Sequence, residues 1–262
     1  MTPHDHTLGR VPAGPGPGLG RPYGRLEGVL LKLVARPATV TAVEALGPRF
    51  RLLTLAGDAL QGVAWWPGDK VQMALGGFVS RTYTPLSWDS ERGVTQLLAY
   101  LHGDTPHATP GAAWADGVAH GDACQVLGPR PSLKLAQRTR NAVFFGDETS
   151  FAAAAAFNAM SGWLHKVSFV FEVSQVDECR PVLQALNLRE AVLVPRAPDG
   201  THLAEVDAQI DRLGAATRAS DVVLTGQAGS IQHLVRALKQ RGKSSADRVT
   251  KAYWAVGKAG LD

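Results

Sequence analysis

The chain has 262 residues, 45% of them hydrophobic and 19% charged, with a formal net charge of +4. That length predicts two domains with apolar content enough to fill both cores. It excludes a disordered chain, and no apolar run approaches the length that crosses a bilayer. The Lys and Arg residues are scattered, with no basic run interleaved with aromatics, which argues against a nucleic-acid partner and suits anionic substrates or phosphates.

Met1 to Gly24 is rich in Pro and Gly and holds too little apolar content to pack, so a disordered tail over residues 1–24 is expected. The same segment lacks the charged-then-apolar pattern of a signal peptide, and the expected location is the cytoplasm. From about Leu26 to Gln137 the runs ATVTAVEA, RFRLLTLA, KVQMAL, RTYTPLSW, VTQLLAYL and ACQVLG are short, β-branched or alternating, and broken by turns such as Gly47-Pro48 and Pro67-Gly68-Asp69. They predict an antiparallel β-barrel. Between the last two, Gly111 to Val118 predicts a short helix whose N-terminus offers N–H groups and a dipole to a diphosphate.

After Arg138 strand and helix alternate. NAVFF leads into Gly146-Asp147, followed by an alanine-rich helix from Thr149 to about Leu164, then VSFVFEV, a helix near Pro181, AVLVP, a helix from His202 to Leu213, DVVLT, and a helix from Ser230 to Arg241. This alternation predicts a parallel sheet with crossover helices. The domains expected are therefore a barrel over 25–138 and an α/β nucleotide-binding domain over 139–262. Sheets of the second kind bind nucleotides outside the carboxyl ends of their strands, where Gly146 and Gly226 are expected.

Arg81-Thr82-Tyr83-Thr84 is the most informative segment. On an extended strand Arg81 and Tyr83 share one face, offering a guanidinium to a diphosphate and a phenol ring to an isoalloxazine, while Thr84 at the strand end can hydrogen-bond a ring nitrogen. The alternative is a surface strand with exposed Arg and Tyr. Gly146-Asp147-Glu148-Thr149-Ser150 sits at a strand-to-helix turn, where Asp147 or Thr149 caps the helix or the turn lines a ligand site. The two carboxylates repel a pyrophosphate, and no GxGxxG fingerprint is present. Near the end, Tyr253 and Trp254 continue a final strand flanked by Arg248, Lys251 and Lys258, a basic mouth or a solvated strand end.

The two cysteines, Cys124 and Cys179, form no CxxC pair, which argues against an iron–sulfur cluster or structural zinc. If the chain transfers electrons, an organic cofactor must carry them. His102, His107 and His120 have no metal-ligand spacing, and no metal site is expected.

Taken in order, RTYT, LHG at Leu101 to Gly103, TPGAAWA at Thr109 to Ala115, HGDACQVLGPR at His120 to Arg130, GDETS and the terminal KAYWAVGKAG resemble the siderophore-interacting protein family, FAD-containing ferric-siderophore reductases related to the ferredoxin reductases. The resemblance runs from about Ala38 to Gly260. It departs from the family pattern where Thr109 replaces Gly, Ala112 replaces Ser, and Phe151-Ala152 stands for Leu-Pro. It implies a ferredoxin-reductase-like fold, FAD as cofactor, NADPH or NADH as electron donor, and a ferric siderophore or other ferric chelate as substrate. It further implies cofactor contacts at Arg81, Thr82, Tyr83, Thr84, His102, Thr109, Ala112, Trp114, Gly146, Asp147, Glu148, Thr149 and Trp254, with the missing hydroxyl at Ala112 leaving phosphate binding to backbone amides. In the family a basic pocket receives anionic chelates, and Arg248, Lys251 and Lys258 are the candidates for it. No protein nucleophile or general acid is required. Two rivals remain: a generic flavin or electron-transfer reductase, and a non-catalytic flavin-binding protein.

Overall fold

The computed structural model describes residues 35–76, 79–102, 109–162 and 165–258. The tail expected over 1–24, Gly103, His107 and the residues after Lys258 lie outside them.

The first domain is built from β1 (Ala35–Gly47), β2 (Phe50–Ala56), β3 (Lys70–Gly76), β4 (Val79–Tyr83), β5 (Pro85–Asp89), β6 (Val94–Tyr100) and β7 (Ala123–Arg130). They pair antiparallel in the order β4-β3-β7-β1-β2-β6-β5. Val40, Leu53, Leu55, Val71, Met73, Leu97 and Val126 are fully buried and fill the interior. The run RTYTPLSW forms two strands rather than one, broken at Thr84, because Pro85 has no N–H to continue a ladder. β4 and β5 are the two edges of the sheet, so Thr84 sits where the chain crosses the open seam of the barrel. Helix α1 (Pro110–Gly117) adds Ala112, Trp114 and Ala115 to the barrel core. It begins on Thr109, whose hydroxyl accepts the Ala112 N–H at 3.2 Å, with Pro110 at the first helical position.

The second domain alternates β8 (Ala142–Gly146), α2 (Phe151–Ser161), β9 (Val167–Val173), α3 (Val176–Ala185), β10 (Val192–Pro195), α4 (Leu203–Thr217), β11 (Asp221–Gln227), α5 (Ala228–Gln240) and β12 (Arg248–Trp254). All pairings are parallel, in the order β10-β9-β8-β11-β12. The strand order reverses at β8, so the crevice between the carboxyl ends of β8 and β11 is the topological switch point. The helix expected from Thr149 starts at Phe151, after a single 3-10 turn over Glu148–Ser150. Among the described residues no helix is long and apolar enough to cross a membrane.

The two domains share one apolar core. Phe50, Leu98, Leu133 and Leu135 of the barrel pack with Phe144, Phe151 and Phe171 of the α/β domain. Phe50 stacks on Phe151 with ring centroids 5.6 Å apart and planes at 6°, and Phe151 meets Phe171 edge-on at 4.8 Å. Phe151, one of the departures from the family pattern, is thus an inter-domain anchor. Replacing it by Ala removes the stack and leaves a cavity, with an expected loss of about 3–5 kcal/mol. Urea unfolding of Phe151→Ala checks this, and an unchanged midpoint would mean the domains do not depend on each other through this contact.

Candidate functional site

At the barrel seam, Arg81 and Tyr83 face the same way, in register with the inward-facing Met73 and Val71, whereas Thr82 pairs with Gln72 and points to the other face. Tyr83 packs its ring on Trp114 at 6.0 Å, and burial pushes its pKa up. Arg81 lies across the first turn of α1. A Cβ at Gly111 would stand 2.8 Å from Arg81 Cγ and 3.1 Å from Nε, so only glycine leaves room for the guanidinium there. Arg81 Nη1 donates to the Ser80 carbonyl at 2.7 Å. His102 comes to the same place: partial burial, and then the Arg81 charge, hold its pKa below the ordinary imidazole value.

Ala112 plays a different part from the one expected. Its N–H is taken by Thr109, its side chain is buried in the barrel core, and the Ala113 N–H goes to the Thr109 carbonyl at 2.9 Å. Pro110 has no N–H, which leaves Gly111 as the first-turn amide without a partner among the described residues. What this helix end offers to an anion is therefore the Gly111 amide and the Arg81 guanidinium.

At the carboxyl edge of the parallel sheet stands a network of buried charge. Asp147 and Glu172 are 0% exposed and Glu148 is 3% exposed. Asp147 accepts the Thr149 N–H at 2.9 Å and the Trp254 indole N–H at 2.7 Å. Glu148 turns away toward β9 and β10, accepting the Ser174 N–H at 2.5 Å and pairing with Arg196 at 2.9 Å. Glu172 accepts from Ser230 Oγ at 2.9 Å and lies 2.7 Å from His202 Nε2. Arg196 also lies over the Trp254 ring, 5.7 Å from its centroid. Arg196, Glu172, His202 and Ser230 carry no sequence motif; only their positions at strand and helix ends mark them.

These contacts correct the expectation for the turn at Gly146. The close approach that Gly146 permits is made by the chain itself: a Cβ there would meet Ser150 Cβ at 2.4 Å and Thr225 Oγ1 at 2.9 Å. Gly226, at φ +97°, likewise makes room for the Asp147 carboxyl. Asp147 caps the turn through Thr149, and neither it nor Glu148 presents an open oxygen to solvent. Asp147, Glu148 and Thr149 frame the crevice rather than line it.

The basic cluster expected near Trp254 is only partly assembled. Arg248 opens β12, in register with Val222 at the amino end of the sheet. At about 3.3 Å per residue it lies roughly 20 Å along the strand from Trp254, too far to share a mouth with it. Lys251 pairs with Thr225 toward the carboxyl end, and Lys258 follows in the exposed turn beyond. Between barrel and sheet, the Tyr253 hydroxyl faces Thr84. It is buried without a hydrogen bond of normal geometry, and burial pushes its pKa up.

Residues 76–133 match the model of the siderophore-interacting FAD-binding domain. That stretch holds Arg81, Thr84, His102 and Gly111. The seam thus lies within the matched stretch, and the resemblance drawn from the motifs is borne out. A siderophore utilization protein from T. fusca aligns at 23% identity over 87% of this chain and 95% of its own, with a TM-score of 0.66. The siderophore-interacting protein SipS from Aeromonas hydrophila aligns at 20% identity over 86% and 93%, with a TM-score of 0.69. The ferredoxin reductase in carbazole 1,9a-dioxygenase aligns at 18% identity over 84% and 67%, with a TM-score of 0.65. The fold is ferredoxin-reductase-like. No curated protein matches the sequence.

The residues fit FAD. A guanidinium cradled by a glycine at a helix N-terminus suits a diphosphate, and the buried Tyr253 hydroxyl, beside Thr84 but without a hydrogen bond of normal geometry, marks a polar position that a ring edge would complete. Arg81→Ala is expected to weaken FAD binding by about 1.5–3 kcal/mol, roughly ten- to hundredfold. Flavin titration of the apoprotein measures it, with full retention of FAD as the contrary result.

Burial, and then the charge of Glu148, push the Asp147 carboxyl up to about 6. A raised carboxyl pKa means that the folded state takes up a proton. Its contribution to stability is greatest below about pH 4, the ordinary Asp range, and is lost as pH rises through 6. Because Trp254 donates to this carboxylate, tryptophan fluorescence should titrate with a midpoint near 6. That titration should vanish in both Asp147→Asn and Trp254→Phe.

Proposed function

We propose that the chain is an FAD-dependent reductase that passes electrons from NADH or NADPH to Fe(III) in a siderophore or similar chelate, in the cytoplasm. The observation that carries the reading is the meeting of two features at the barrel seam: Arg81 laid over Gly111 at the start of α1, and Thr84 facing the buried Tyr253 hydroxyl of β12. The first suits a diphosphate held by the barrel. The second puts the ring-binding end of the same strand against the carboxyl edge of the nucleotide-type sheet.

Bound there, FAD supplies a two-electron acceptor that gives its electrons up one at a time. Arg81 and the Gly111 amide would hold its diphosphate, Thr84 would orient its ring edge, and Trp254, fixed by Asp147 and Arg196, would border the ring from the α/β domain. Stoichiometry follows from the charges: one reduced nucleotide delivers two electrons and releases one proton, and two Fe(III) become two Fe(II). Ferrous iron is held less tightly by hard oxygen ligands, so reduction releases it. None of the chain's carboxylates or histidines has to transfer a proton to substrate for this balance to close.

Anionic ferric chelates would approach past Lys251 and Lys258. A Lys251→Ala, Lys258→Ala variant should leave reduction of FAD by the nucleotide near the parent rate. Reoxidation by an anionic chelate should slow and lose its salt dependence, since screening acts over about 10 Å at 0.1 M. Fe(II) capture by a chromogenic ligand follows the second half-reaction. Reoxidation that is identical in variant and parent at low and high salt removes the chelate from this edge. A generic flavin reductase would instead lose its activity without added free flavin.

A further inference from the structure

The carboxyl edge of the parallel sheet also carries a discrimination between donors. In doubly wound folds an acidic side chain at the end of the second strand suits a ribose diol, and an arginine nearby suits the phosphate that replaces one hydroxyl. Here Glu172 ends β9, the second strand, and Arg196 follows β10, the third. The arginine, however, is already occupied. Its Nη2 bonds Glu148 at 2.9 Å and the Glu172 carbonyl at 3.1 Å, and its Nη1 bonds Ser174 Oγ at 3.0 Å. One face lies over Trp254.

Its charge is outnumbered as well. Asp147, Glu148 and Glu172 are all buried within this network. His202 adds no compensating charge: its Nδ1 accepts the Ala197 N–H at 3.2 Å, so its Nε2 carries the proton toward Glu172 and the ring is neutral. Glu172 Oε1 is buried without a hydrogen bond, 3.9 Å from Arg196 Nε, which has no hydrogen-bond partner either. Closed off from solvent, that carboxylate reaches the edge only through its charge, which repels a phosphate carrying about −1.5 to −2 at neutral pH.

We propose that this network selects the nucleotide without a 2′-phosphate, so that the donor is NADH, with Glu148 as the residue that keeps Arg196 from serving a phosphate. This rests on the reading of the α/β domain as the donor's site. The test is calorimetric binding of NAD+ and NADP+ to the FAD-loaded protein. NADP+ should bind at least about tenfold more weakly in the parent. The gap should narrow as ionic strength rises from about 0.01 M to about 1 M, where the screening length falls from about 30 Å to about 3 Å. Glu148→Gln, which removes one negative charge from beside Arg196, should tighten NADP+ selectively. Equal or tighter NADP+ binding in the parent overturns the proposal, as does a gap that widens with salt or a ratio unchanged in Glu148→Gln. Failure of both nucleotides to bind, with no flavin reduction by NADH or NADPH, would instead overturn the donor site itself.

Discussion

The stack of Phe50 on Phe151 fixes the relation between the barrel seam and the sheet edge, and every site contact that crosses the domains depends on it. Stacked rings have little freedom to slide without opening a void, and a void in a close-packed core loses dispersion contacts that water does not restore. The Thr84–Tyr253 approach therefore inherits its geometry from an apolar contact elsewhere in the interface. The half-exposed Arg49–Glu178 pair at 3.6 Å adds little to this, because exposed ions are well solvated without each other.

Within that frame the two domains solve opposite electrostatic problems. The barrel offers a cation and an open amide at a helix end, a place prepared for negative charge. The sheet edge collects buried carboxylates and stabilises them through Arg196, the Trp254 indole and backbone amides, with negative charge left over. Removing one member of such a network leaves another charge buried without a partner, which costs more than the pair contributes. Arg196 is its hub, because the same guanidinium touches Glu148, Ser174, the Glu172 carbonyl and Trp254.

Much of this was legible in the sequence. Alternation gave the barrel strands and their inward faces, and the change to strand-helix alternation after Arg138 gave the parallel sheet; RTYT and TPGAAWA picked out the two segments that meet at the seam. What was not legible depended on partners distant in sequence. Nothing local says that Arg196 would fold onto Glu148, or that Phe151 would find Phe50. Arg248 looked adjacent to Trp254 because both belong to one short run, but an extended strand separates its ends by more than a side chain can reach. The turn at Gly146 looked open to a ligand because glycine permits close approach, and only the folded chain reveals that Ser150 and Thr225 make it.

The cysteines carry one more consequence. Cys124 sits in the barrel core and Cys179 in the inter-domain core, and burial pushes both thiols up to about 12. A thiol that titrates there is protonated at neutral pH, and the thiolate is the form that peroxide attacks. Reduced flavins make peroxide when they meet oxygen. A chain whose only sulfhydryls are held as buried thiols can work beside that by-product without being oxidised at cysteine.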